Sequence, residues 1–114
     1  MGFVVADVEV ESHRDEIIAE IKSKMPVILE MLGQAGENNA KFEITAMGAV
    51  DTGNLRNSIT HADDGEYAYI GTNVEYAPYV ELGTLRMPER PFLRNAVQNY
   101  LEEYRTLFEE GLKS

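Results

Sequence analysis

Residues Ile17, Ile21, Met25, Ile28, Leu32, Ala35, Asn39, Phe42 and Ala46 fall in steps of four and three along the chain. The mean step is about 3.6, the α-helical period, so this stretch constrains the fold more than any other. Ile18 and Leu29 widen the apolar side, and Ser12 stands where an N-cap is expected, before the first-turn acids Asp15 and Glu16. The reading is one long helix over about 13–46, its apolar stripe turned to the core, ended by Gly48. Pro26, Gly33 and Gly36 interrupt the pattern, and Pro26 predicts a kink or break.

Before this helix, residues 3–10 end in apolar/polar alternation at Val8, Glu9 and Val10, which predicts a strand. After it the pattern changes character. Asp63-Asp64-Gly65 is a hairpin-turn signature, followed by Tyr67 and Tyr69 on one strand face and Ala68 and Ile70 on the other. The segment Tyr76–Thr84 is apolar but contains Pro78, which suits an edge strand or a short helix. Three or four short strands are expected over about 56–84. Pro91 then opens a second helical pattern to about 112 through Leu93, Val97, Tyr100 or Leu101, Tyr104, Leu107 or Phe108, and Leu112. The expected fold class is α+β: a long N-terminal helix on a small, mainly antiparallel sheet, with a C-terminal helix. At 114 residues one domain, 1–114, is expected, and an apolar share of 44% is enough for a core.

Composition then removes function classes. Without cysteine there is no disulfide framework, thiolate zinc site or thiol nucleophile. No apolar run approaches the ~20 residues of a membrane helix, and the start Met1-Gly2-Phe3 lacks a basic leader, so neither membrane contact nor secretion is expected. A net charge of −10 repels phosphate backbones and disfavours specific DNA binding.

Catalytic groups are sparse. His61-Ala62-Asp63-Asp64 offers nitrogen and oxygen ligands but no recognised metal spacing, and reads as a solvated hairpin tip. Asp51-Thr52-Gly53 matches an aspartic-protease triplet, yet polar Asn54, Arg56, Asn57 and Ser58 follow it where that chemistry needs an apolar setting. Capping of a helical turn explains it better. No enzyme activity, metal or cofactor is expected. One feature runs against the acidic background: Arg86, Arg90 and Arg94 against Glu89 make residues 85–94 net +2, on a segment stiffened by Pro88 and Pro91. Either these arginines pair with acids of their own chain, or they meet an acidic surface on the next copy. Tyr76 and Tyr79 are further interface candidates, and strand edges within 67–84 could pair between copies.

Three blocks carry a resemblance. Val50–Ile59 resembles a TGxLRxSI segment through Thr52, Gly53, Leu55 and Arg56. Ile70–Thr84 resembles a VGTxxxYAxYVExGT core through Gly71, Thr72, Glu81, Gly83 and Thr84. Met87–Ala96 resembles a PxRPFLRPA block through Pro91 and Phe92, with Asn95 in place of its last proline. In this order they resemble the tail-component family of tailed bacteriophages and prophages, typified by the tenth gene product of a lambdoid phage. The resemblance implies a non-enzymatic structural subunit that forms a six-fold ring at the head–tail junction or tail terminus. Its partners would be further copies of itself, tail-tube proteins and head-connector proteins, with DNA passing through an acid-lined channel unbound. It would reside in the virion, and in the host bacterial cytoplasm during assembly. Two other classes fit the composition: an acidic adaptor of a mobile element, and a small hydrolase using Asp51 or the acids near His61.

Overall fold

The computed structural model describes residues 14–48 and 52–114. Helix α1 spans Arg14–Met47, followed by α2 (Thr52–Ser58), β1 (Thr60–Asp63), β2 (Ala68–Gly71), α3 (Ala77–Leu82), α4 (Phe92–Gln98) and α5 (Leu101–Lys113). The expected α+β class is present, with α1 as its beam: 34 residues at 1.5 Å each run about 51 Å, within molecular extents of 60 × 22 × 20 Å. The strand expected over 3–10 lies outside the described residues.

Helix α1 runs unbroken through Pro26. Pro26 is exposed, so the carbonyl that loses its helical partner there can be met by water, which removes the reason for a break. Gly48 ends the helix with φ 61°, a left-handed conformation that glycine adopts without steric cost.

The buried face of α1 departs from the stripe in its second half. Leu29, Gly33, Gly36, Ala40 and Ile44 are buried there, while Phe42 is 64% exposed and Ala46 is exposed. The cause is close packing on small residues. The hairpin β1–β2 lies on Gly33 and Gly36, where an added Cβ would come within 2.7 Å of His61 Cδ2 and 2.9 Å of Ile70 Cγ2 respectively. A pattern that scores apolar bulk passes over the glycines on which another element rests.

The hairpin is antiparallel, with Thr60 opposite Gly71 and Asp63 opposite Ala68. Its turn is held by the Asp64 carboxylate, which accepts hydrogen bonds from the Glu66 and Tyr67 amides at 2.9 and 2.8 Å. Tyr69 faces solvent and Ile70 packs on the core, as the alternation predicts. Among the described residues these two strands are the whole sheet. Of the two forms that Pro78 suits, residues 77–82 take the short helix, α3, because Pro78 stands in the first turn, where a missing N–H is harmless. The inter-copy strand pairing expected over 67–84 therefore has no strand to use at 77–82.

The C-terminal pattern also divides in two. Asn99 caps α4 and Tyr100, at φ −125° and ψ 24°, leaves helical geometry before α5 begins. The apolar period crosses the break without interruption, which is why periodicity alone reads one helix. Val97 and Leu101 face solvent as a result, 49% and 61% exposed.

The core sits at the C-terminal half of α1. Ala40 and Ile44 meet Leu55 and Ile59 after the first turn, Ala77 and Val80 of α3, and Phe92 and Ala96 of α4. Helix α5 runs along the other half. Gly111 faces Ile28 with no room for a side chain between them, and the Lys24 ammonium donates to the Leu112 carbonyl at 2.6 Å.

Candidate subunit interface

Helix α3 has six residues and two apolar sides. Ala77 and Val80 are buried, but Tyr79 and Leu82 point outward at 60% and 67% exposure. Leu85, three positions further, is fully exposed. Tyr79 and Leu82, one turn apart on α3, and Leu85, next along the chain, make an exposed apolar ridge that leads to the arginine segment.

The segment beyond α3 is a closed, internally bonded loop. Gly83 turns the chain at φ 79°, and a Cβ there would lie 2.7 Å from the Glu89 amide nitrogen and 3.0 Å from the Met87 carbonyl. The Thr84 amide donates to the Met87 carbonyl at 2.8 Å, and the Met87 amide donates back at 3.3 Å. The Thr84 hydroxyl oxygen also accepts from the Arg86 and Met87 amides, at 3.2 and 3.1 Å. Leu85 and Arg86 stand at the tip of that turn. At the base, the Arg90 amide donates to the Val80 carbonyl at 2.7 Å.

Glu81 ties this loop to α4. Its carboxylate accepts from the Leu93 and Arg94 amides at 2.8 and 3.3 Å, so a side chain of α3 caps the N-terminus of α4. It also takes Arg94 Nε at 2.9 Å, and Arg94 Nη2 reaches the Glu81 carbonyl at 2.9 Å and Glu89 at 3.2 Å. The Glu81 hydrogen bond, then that of Glu89, pushes the Arg94 pKa further up.

The three arginines thus separate. Arg94 is held by acids of its own chain, whereas Arg86 and Arg90 make no ion pair among the described residues. The tyrosines separate too. Tyr76 is half-buried against the core, its hydroxyl accepting from Asn54 Nδ2 at 3.1 Å, while Tyr79 lies on the ridge. Leu82, three positions after Tyr79, falls on the same side once 77–82 is taken as a helix, whereas Leu85 lies beyond the helix, where no periodicity singles it out.

The residues of the three sequence blocks hold this scaffold. Leu55 and Phe92 are fully buried. The Ser58 hydroxyl donates to the Leu55 carbonyl at 2.6 Å, so the Thr72 hydroxyl donates to Ser58 Oγ at 2.5 Å and accepts from the Val74 amide at 3.2 Å. Gly83, Thr84 and Glu81 shape and cap the loop, and Pro91 precedes α4. Thr52 opens α2, Gly53 and Arg56 lie on its exposed side, and an added Cβ at Gly53 or Gly71 would meet nothing within 4 Å.

A model of a known family matches residues 9–83, about two thirds of the chain, and its description reads "Bacteriophage HK97-gp10, putative tail-component". The chain belongs to this HK97-gp10-like family. It is a phage tail component of that kind, a virion protein. The family match ends at Gly83, so the tip Leu85–Arg86 and the block 87–96 lie beyond it. Searches of curated proteins and of solved structures returned no significant match.

His61 lies in β1 instead of at the hairpin tip, and it has a structural role. Its Nδ1 meets Glu37 and its Nε2 meets Glu30, each at 2.9 Å, across the flat strip made by Gly33. The hydrogen bond to Glu30, then that to Glu37, raises its pKa, and the bond from His61 in turn lowers that of Glu37. Among the described residues no three His, Asp or Glu side chains gather as metal ligands, and no helix is long and apolar enough to cross a membrane. Asp51 lies outside the described residues.

Proposed function

We propose that this HK97-gp10-like protein is a non-enzymatic structural subunit whose copies join into a ring, six-fold in the particle, at the head–tail junction or tail terminus. The observation that carries self-assembly is the ridge Tyr79–Leu82–Leu85 ending at Arg86. An ordered, bonded loop that displays a wholly exposed leucine beside Arg86, a cation with no ion pair among the described residues, has the makeup of an interface core, where tyrosine and arginine are favoured. Tail-tube and head-connector proteins are the neighbours expected on either side. The net charge of −10 suits a passage for DNA that must slide without sticking, with acids lining the channel.

The test is the solution mass of the purified protein by light scattering after size exclusion, across concentration and salt, with negative-stain imaging of the largest species. A closed oligomer near six copies that loosens as salt rises supports the reading. A strict monomer at every concentration, which purified tail tubes also fail to recruit, rejects it in favour of a monomeric acidic adaptor.

A further inference from the structure

The surface that receives the ridge on a neighbouring copy can be argued from charge. A groove of about 600 Å³ opens between α1, β2 and α4, but no carboxylate lines it and its charged group is Arg94. A second, of about 350 Å³ near Phe108, carries Lys22 as well as Glu66. A third, about 480 Å³, runs between α1 and α5, with an apolar floor of Met31, Ala35 and Leu107 and two acids, Glu30 and Glu103, in its lining. Glu30 meets His61, and Glu103 meets Asn39 at 2.6 Å, each through a single carboxylate oxygen. Among the described residues the second oxygen of Glu103 accepts no hydrogen bond and is open to an incoming guanidinium, since a carboxylate accepts several.

We infer that the loop tip of one copy docks in the α1–α5 groove of a second copy, Leu85 on the Met31–Ala35–Leu107 floor and Arg86 against Glu103, with Glu30 on the far rim of the groove. The pairing matches an apolar anchor beside a cation to an apolar floor lined by two acids and no base, whereas the grooves near Phe108 and near Pro78 hold one acid each, the first of them beside Lys22. The inference rests on the self-assembly reading above and specifies its geometry. Donor and receptor are different surfaces of the same chain, so the contact is head-to-tail: each copy gives one tip and one groove, and the series closes into a ring when the rotation allows. An interface of like surfaces would instead stop at a dimer.

The absence of cysteine makes disulfide trapping a clean test. Leu85→Cys and Gln34→Cys, both at exposed positions and the latter in the groove lining, are mixed and air-oxidised beside an Ala62→Cys control on the hairpin. The expected result is a mixed dimer of Leu85→Cys with Gln34→Cys, little product from either alone or with the control, and loss of the mixed dimer when Arg86→Glu is added to the first partner. Restoration of that product by Glu103→Arg in the second partner would fix the charge contact. If the unmodified protein oligomerises while Leu85→Cys couples to itself, or equally to all partners, the tip-in-groove contact is wrong and self-assembly stands. If nothing crosslinks and the unmodified protein stays monomeric throughout, with purified tail tubes present as well as without, the self-assembly reading falls with it.

Discussion

Glu81 and Arg94 are joined three times: the Glu81 carboxylate takes Arg94 Nε at 2.9 Å and, at 3.3 Å, the amide of the same residue at the start of α4, while the Glu81 carbonyl takes Arg94 Nη2 at 2.9 Å. Side chain and helix terminus are thus satisfied by one group that is itself only 12% exposed. The Glu81→Ala variant should lose about 1–2 kcal/mol, the range of a lost cap plus a charge-assisted hydrogen bond, after allowance for a half-exposed Arg94. Urea unfolding measures it. Arg94→Lys should recover only part of the pair, because an ammonium cannot reach Glu81 and Glu89 together as the guanidinium does. A Glu81→Ala midpoint equal to that of the parent would remove the cap from the account.

Two glycines of the sequence blocks should respond oppositely. Gly83→Ala places a Cβ against the Glu89 amide at a positive φ and should cost about 1–3 kcal/mol. Gly53→Ala, on an open helical surface, should be neutral or stabilise by up to about 1 kcal/mol. Thermal unfolding of both variants checks the contrast, and equal losses at the two positions would contradict it.

The His61 contacts set a pH window. Its pKa is raised from the ordinary 6.5, so its contribution to stability is fully present below 6.5 and is lost as pH rises through the raised folded value. Glu37, held below its ordinary 4.5, contributes above 4.5 and loses that contribution as pH falls through its lowered value. The stability difference between the parent and His61→Gln should therefore be largest between about pH 4.5 and 6.5 and shrink on the alkaline side. Denaturation at pH 5.5 and 8.5, with an NMR titration of the His61 ring, measures it. A pH-independent difference would show that the ring contributes by packing alone.

Gly36→Ala tests the approach of the hairpin to α1. The new Cβ would lie 2.9 Å from Ile70 Cγ2. A net loss of about 1–2 kcal/mol is expected, overpacking set against the gain in helix propensity. Combined with Ile70→Leu, which has no methyl at the Cγ2 position, the loss should be smaller than the sum of the two single changes in chemical denaturation, and simple additivity of the two would place the clash elsewhere.

What was legible in the chain follows what each signal encodes. The length of α1 came from a period that few other structures share, and the hairpin from its Asp-Gly turn and the alternation of Tyr69 with Ile70. The face of α1 was misplaced because the hairpin rests on Gly33 and Gly36, residues with no bulk to score. The break before α5 was hidden because Leu93, Val97, Leu101 and Tyr104 stay in period across it. At the interface, composition pointed to Arg86, Arg90 and Arg94 as a group, but their separation depends on Glu81, an acid thirteen positions before Arg94 that reaches it only through the fold.

The loop from Gly83 to Arg90 has a consequence for assembly that lies in what it does not need to do. Its turn is cross-bonded at Thr84 and Met87, its base is tied to Val80, and its exit is fixed by Glu81. Little freedom is left to surrender when the tip meets a partner, so the entropic toll of docking is low before any contact forms. Each junction can then be weak in isolation and still hold once a closed series makes every later contact intramolecular. Completed assemblies would be strongly favoured over fragments, with stray subunits free to leave and try again.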